Sequence, residues 1–149
     1  MKELRVIIAG SRDFNDYKLL KKSAIEIITK KTMLPDLTRI ISGGARGADT
    51  LGERFANEMG LEISRFIPDW DGLGKRAGYV RNAEMAKFAV EDDNDGMLIA
   101  FWDGQSRGTK HMIDLAKRYG LEVHVVSFWI RKENKYIWKF LFLVYLWQF

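Results

Sequence analysis

Basic residues stand just beyond four strand-like segments, and two of the loops that carry them are rich in glycine. Arg12 follows Leu4–Gly10, Arg46 follows Thr38–Gly44, Lys75 and Arg76 follow Leu61–Pro68, and Arg107 follows Gly96–Trp102. In an open parallel sheet the carboxyl ends of the strands share one rim, and ligands bind there. Cations and bare backbone N–H groups gathered at that rim suit an anionic, phosphate-bearing ligand.

The first of these loops is SGGARGAD, Ser42–Asp49. Gly43, Gly44 and Gly47 let the backbone turn sharply and approach a ligand closely, at what reads as a helix N-terminus. Arg46 adds a forked, charge-assisted contact. The spacing matches neither GxGxxG nor GxxxxGK[ST], which disfavours a generic NAD oxidoreductase and a P-loop ATPase. The packing alternative is that these glycines only let a helix and a strand come close. A second loop, Gly104-Gln105-Ser106-Arg107-Gly108-Thr109, repeats the design, with the Thr109 hydroxyl placed to cap a helix. In the segment between, Trp70 and Tyr79 could stack on a base or simply anchor the loop. Arg76 or Arg81 reaches phosphate, and Asn82 reads a base edge or bonds the loop backbone.

Alternating strand and helix patterns position these groups. The apolar run Leu4–Gly10 reads as a buried parallel strand, and Asp16 can cap a helix from Tyr17 that Leu34-Pro35-Asp36 breaks. Thr38–Ser42 is a second strand, followed by a helix ending at Met59 before Gly60. Leu61–Ile67 alternates as a third strand, and a long loop from Pro68 reaches Gly78. Tyr79–Val90 is a helix, Gly96–Phe101 a strand, Gly108–Tyr119 a helix and Leu121–Val126 the fifth strand. The expected fold is α/β: a Rossmann-like parallel sheet of about five strands with helices on both faces.

Composition narrows the classes. The chain has 149 residues, no cysteine and two histidines, and a formal net charge of +4. Disulfides, thiol nucleophiles and thiolate metal sites are excluded, and two histidines are too few for a histidine-rich metal cluster. No metal and no cofactor are expected. The acidic run Glu91–Asp95 lacks the glutamate a calcium loop needs, since Trp102 stands at that position. The charge alone is too small to indicate nucleic acid. MKELRVIIAG has no signal-peptide pattern, so a cytoplasmic protein is expected.

The ordered motifs Ile7-Ile8-Ala9-Gly10-Ser11-Arg12, SGGARGAD, Pro68-Asp69-Trp70, Gly74-Lys75-Arg76-Ala77-Gly78, Arg81-Asn82, Ala100-Phe101-Trp102 and SRGT carry a family resemblance. The stretch from Arg5 to Val126 resembles the YspA-like branch of the SLOG superfamily, relatives of the LOG nucleotide phosphoribohydrolases and the Smf/DprA proteins. The resemblance implies a Rossmann-like domain over 1–127 that binds a nucleotide or a nucleotide-derived ligand such as ADP-ribose. It implies that Gly43, Gly44 and Gly47 cradle phosphate, and that Gly108 and Thr109 form a second phosphate loop. Arg81 matches the region of the hydrolases' catalytic arginine. Their catalytic glutamate falls on Met112, whose thioether cannot do that chemistry. If another carboxylate replaces it, Asp49 is the first candidate, ahead of Asp103, Asp13 and Glu84. Asp49 could equally be a helix N-cap.

Three functions follow. The leading one is binding, for sensing or sequestration. The second is an N-glycosidic hydrolase using Arg81 and Asp49. The third is DprA-like binding of single-stranded nucleic acid, which the sequence favours least. The segment 128–149 reads as a separate apolar tail, with Tyr136–Phe149 almost wholly apolar. Packing at a homo-oligomer interface is favoured over contact with a membrane.

Overall fold

The computed structural model describes residues 2–129, so the apolar segment expected to pack or to mediate oligomerisation lies outside the described residues. Five strands, β1 (Leu4–Gly10), β2 (Thr38–Ser42), β3 (Glu62–Arg65), β4 (Asp95–Trp102) and β5 (Glu122–Ser127), form one parallel sheet in the order β3-β2-β1-β4-β5. The chain builds outward from β1 to β3, then crosses to β4 on the other side of β1. The direction therefore reverses between β1 and β4, which opens a crevice at their carboxyl ends.

The strands read as unbroken apolar runs because both faces are covered. Val6 and Ile8 of β1 point to one side with Ile40, Ile99 and Phe101; Ile7 and Ala9 point to the other with Ile41, Leu98 and Ala100. Helices α1 (Tyr17–Lys31) and α2 (Ala48–Met59) cover the first face through Leu20, Ala24, Ile28, Phe55 and Ala56. Helices α4 (Ala77–Val90) and α5 (Arg107–Arg118) cover the second through Met85, Ala86, Ala89, Met112 and Leu115. Each fully buried aliphatic side chain contributes about 1.5–3 kcal/mol, so the two faces together hold the sheet. Phe128 extends the first face, packing edge-on against Phe14 with ring centroids 4.8 Å apart.

Asp16 caps α1, its side chain accepting from the Leu19 amide at 3.0 Å, and Gly60 ends α2 in the left-handed conformation. Three local expectations need correction. β3 is shorter than Leu61–Ile67: the Phe66 amide reaches Ser42 O, but β2 ends there and its chain turns away as Gly43-Gly44. The segment after Pro68 is not an open loop. It holds a one-turn helix α3 (Trp70–Leu73), capped by Asp69 accepting from Gly72 N at 2.8 Å, then a 3-10 turn over Gly74–Arg76. The cap of α5 is Ser106, whose Oγ accepts from the Thr109 amide; the Thr109 hydroxyl donates to that same Oγ at 2.9 Å.

Charge is handled differently at the two ends of the sheet. At the amino end, Glu3 takes Arg5 Nε at 2.8 Å and Arg39 Nε at 2.9 Å. Burial alone would push the Glu3 carboxyl up, but these two guanidinium groups outweigh it and hold it below the usual range. Glycine at the carboxyl end of β1 is required by contact: a Cβ on Gly10 would collide with the Phe101 carbonyl and the Ala48 side chain. Gly10→Ala should therefore lower the free energy of unfolding by about 1–3 kcal/mol, as overpacking does. Urea denaturation measures it, and an unchanged midpoint would refute the contact.

Candidate functional site

A cleft of about 530 Å³ lies at the switch point. The end of β1 supplies Gly10, Ser11 and Arg12 to it. The β2–α2 loop supplies Arg46, and the first turn of α2 supplies Asp49. From α3 to α4 come Trp70, Lys75, Tyr79, Arg81 and Asn82, and from the β4–α5 loop Ser106, Gly108 and Thr109. A smaller adjoining cavity of about 270 Å³ is lined by Gly43, Gly44, Ile67 and Pro68, and shares Arg12, Arg46, Trp70 and Arg81 with the first. Most expected site residues thus converge, as a parallel sheet with this reversal requires.

Four do not. Gly47, Arg76, Gly104 and Arg107 line neither cavity. Arg107 opens α5 exposed to solvent, while Gly108 and Thr109 hold the cleft side of that turn. Arg76 lies exposed in the 3-10 turn. Gly47 has φ 86 and ψ −127, and a Cβ there would meet the carbonyls of Ser11 and Arg12. Its role is to let the first loop lie directly on the end of β1. Glu84 is exposed and outside the cleft.

Asp49 and Arg81 are brought together at the floor. Arg81 is 11% exposed and Asp49 6%, with Nη1 and Oδ2 4.0 Å apart. Arg81 Nη1 also donates to Gly43 O, and Nε donates to Asn82 Oδ1 at 3.1 Å. A Cβ on Gly43 would overlap both the guanidinium and the Asp49 carboxylate, so this glycine exists for the pair. Asp49 is no N-cap, because Gly47 occupies that position; instead Oδ2 accepts from the Ala45 amide at 3.3 Å and closes the loop. Burial pushes the Asp49 carboxyl up to about 6, against the opposing pull of Arg81.

Both loops use part of their own amides. Gly44 N donates to Ser42 Oγ, and Gln105 N and Ser106 N donate to Asp103 Oδ1 at 2.9 Å. Burial would raise the Asp103 carboxyl, but those amides and the Ser11 hydroxyl outweigh it and hold it low. Among the described residues the amides of Arg46 and Gly47 have no intramolecular acceptor, and those of Arg107 and Gly108 open α5 ahead of its first helical bond. Gly104 and Gly108 would admit a Cβ without contact, so neither glycine is required by packing. Arg12 forms no ion pair among the described residues, and Arg46 meets only Asp13, at 3.4 Å with both side chains largely exposed.

Sequence reasoning passed over His111, Gln105 and the organising role of Asp103. The Asp-Gly-Gln-Ser run was the available signal for the last, since Asp closes such turns through its own side chain. His111 carried no local signal. Its partners, Tyr79 with ring centroids 4.6 Å away and Asn82 at 3.2 Å, come from a different helix. Met112 is buried and lines the cleft. Among the described residues no group of three or more carboxylate, histidine or cysteine side chains could hold a metal ion, and no helix is long and apolar enough to cross a membrane.

The sheet order and the cationic cleft at its reversal define a Rossmann-like domain with a ligand-type crevice. The chain belongs to the YspA, cpYpsA-related SLOG family, whose model matches residues 4–72. It is 32% identical over 124 residues to the Gene 61 protein of Mycobacterium phage D29, covering 80% of this chain and 93% of that one. Among solved structures it is similar to DNA processing protein A (DprA) from Streptococcus pneumoniae, at 17% identity and a TM-score of 0.43. That match covers 83% of this chain and 58% of the DprA chain.

The environment of Asp49 generates a pH prediction. A carboxyl raised from 3.8 to about 6 favours the folded state most while protonated, and that advantage is lost as pH rises through the interval. Asp49→Asn removes the titration, so its stability relative to wild type should improve between pH 4 and 7, by up to about 3 kcal/mol. Denaturation at several pH values tests this, and a difference independent of pH would refute it.

Proposed function

We propose that the protein binds a nucleotide or nucleotide-derived ligand, of the ADP-ribose kind, in the cleft at the switch point. The observation that carries the reading is the loosely paired positive charge at its rim, beside Asp13 and Asp103. Arg12, Arg46 and Lys75 line a rim where, among the described residues, Arg12 has no ion-pair partner and Arg46 has only a long, solvent-screened one. The amides of Arg46 on one side and of Gly108 on the other are donors left for phosphate oxygens. Trp70 and Tyr79, each 48% exposed at the cleft wall, offer apolar faces to a base or ribose. Membership of the SLOG family agrees with a nucleotide-type ligand. Capture without turnover fits Met112, which supplies neither a base nor a charge.

A second reading, hydrolysis of an N-glycosidic bond, is favoured by one observation. Asp49 is a cleft carboxyl that titrates near neutrality beside a buried arginine. Release of free base from nucleoside monophosphates or NAD-like compounds would establish it over simple binding.

Calorimetry of the full chain with ADP and ADP-ribose tests the binding reading. Arg46→Ala should weaken binding about tenfold, the ~1.4 kcal/mol of one charge-assisted contact. Its melting temperature should hardly change, because an exposed pair contributes little to stability. Unchanged affinity would remove Arg46 from the site, and no binding of either ligand would overturn the reading.

A further inference from the structure

Asn82 is buried, the residue being 6% exposed, and both hydrogens of its side-chain amide have a partner. Its amide orientation follows from Arg81. A guanidinium only donates, so the group facing Arg81 Nε at 3.1 Å must be the Asn82 oxygen. The nitrogen Nδ2 then faces two acceptors: the Gly108 carbonyl at 3.2 Å and His111 Nδ1 at 3.2 Å. Because Nδ2 donates, His111 Nδ1 must be unprotonated, and the imidazole proton sits on Nε2. Burial holds the His111 pKa below its ordinary value, with the Arg118 charge acting in the same direction, which keeps the ring neutral and accepting.

The two ends of this relay reach different loops. Through Arg81 it grips the Gly43 carbonyl of the first glycine turn; through its own nitrogen it grips Gly108 at the start of α5. Those turns leave β2 and β4, which are not neighbours, since β1 lies between them. Among the described residues, Asn82 is the side chain that bonds toward both.

We propose that Asn82 is a positioning residue that sets the separation of the two glycine turns, so that one ligand can engage both at once. This rests on the binding reading above. A ligand held by a single turn does not need the relay, whereas a ligand spanning both does. The discriminating probes are therefore inorganic phosphate, which is small enough for one turn, and ADP, which reaches further.

Asn82→Ala removes both arms of the relay, and Asn82→Asp keeps an acceptor for Arg81 while losing the donors to Gly108 and His111. In the full chain, both variants should lose about tenfold or more in ADP affinity while phosphate affinity falls by less than about twofold. Equal loss for the two probes, or wild-type ADP affinity in Asn82→Asp, overturns the proposal. A ligand-free arm uses nitrogen-15 and amide NMR. Wild-type His111 should be the Nε2-protonated tautomer, and Asn82→Asp should shift the amides of both turns. A Nδ1-protonated wild-type ring, or shifts confined to one turn, overturns the proposal whether or not ADP binds. Failure of ADP to bind wild type, with the NMR results as expected, instead sinks the nucleotide reading and leaves the relay standing.

Discussion

A guanidinium buried at the carboxyl end of the sheet is the constraint on which the cleft depends. Removing a charge from water is costly unless hydrogen bonds and an opposite charge surround it. Arg81 meets that demand with the Gly43 carbonyl, the Asn82 amide oxygen and the Asp49 carboxylate. Each partner then imposes a condition of its own. Gly43 must lack a Cβ, Asn82 must be held by α5, and Asp49 must sit on the first turn of α2. One cation thus ties the first glycine turn, α2, α4 and α5 into a common floor.

The two ends of the sheet show what is specific about that rim. At the amino end, Glu3 accepts from both Arg5 and Arg39, so the positive charge is neutralised by the protein itself. At the carboxyl end, Arg12, Arg46 and Lys75 line a concave space with Asp13 and Asp103, and the Arg46–Asp13 pair there is long and largely exposed. The Coulomb energy there is available to an anion from outside. Low-dielectric walls of packed strand and helix strengthen such a field compared with an open surface.

The glycines in the loops divide by role. Gly10, Gly43 and Gly47 are required because other parts of the protein come within contact of where a Cβ would be. The packing alternative therefore accounts for much of the first loop. Gly104 and Gly108 face open space, and that difference makes the second loop the more accommodating of the two. Internal capping by Ser42, Asp49, Asp103 and Ser106 consumes several amides and rigidifies both turns. What remains for a ligand is a smaller, better-defined set of donors than glycine content alone suggests.

Order of elements was legible in the chain because local physics dictates it. The runs Leu4–Gly10 and Gly96–Phe101 are largely apolar, as a parallel strand buried on both faces is, and Asp16 and Gly60 mark helix ends through backbone bonds made within a few residues. Convergence of Arg12, Arg46, Ser106, Gly108 and Thr109 followed from alternation, since every strand delivers its following loop to the same rim. The short helix at Trp70–Leu73, the outward Arg107 and the pairing of Arg81 with Asp49 were not legible. They depend on where β3 loses its partner, on the phase of the first turn of α5, and on an approach between side chains far apart in the chain. His111 shows the limit best: its state is set by Asn82 and Tyr79 on α4, and no property of its own neighbours in the chain encodes a hydrogen bond across a helix interface.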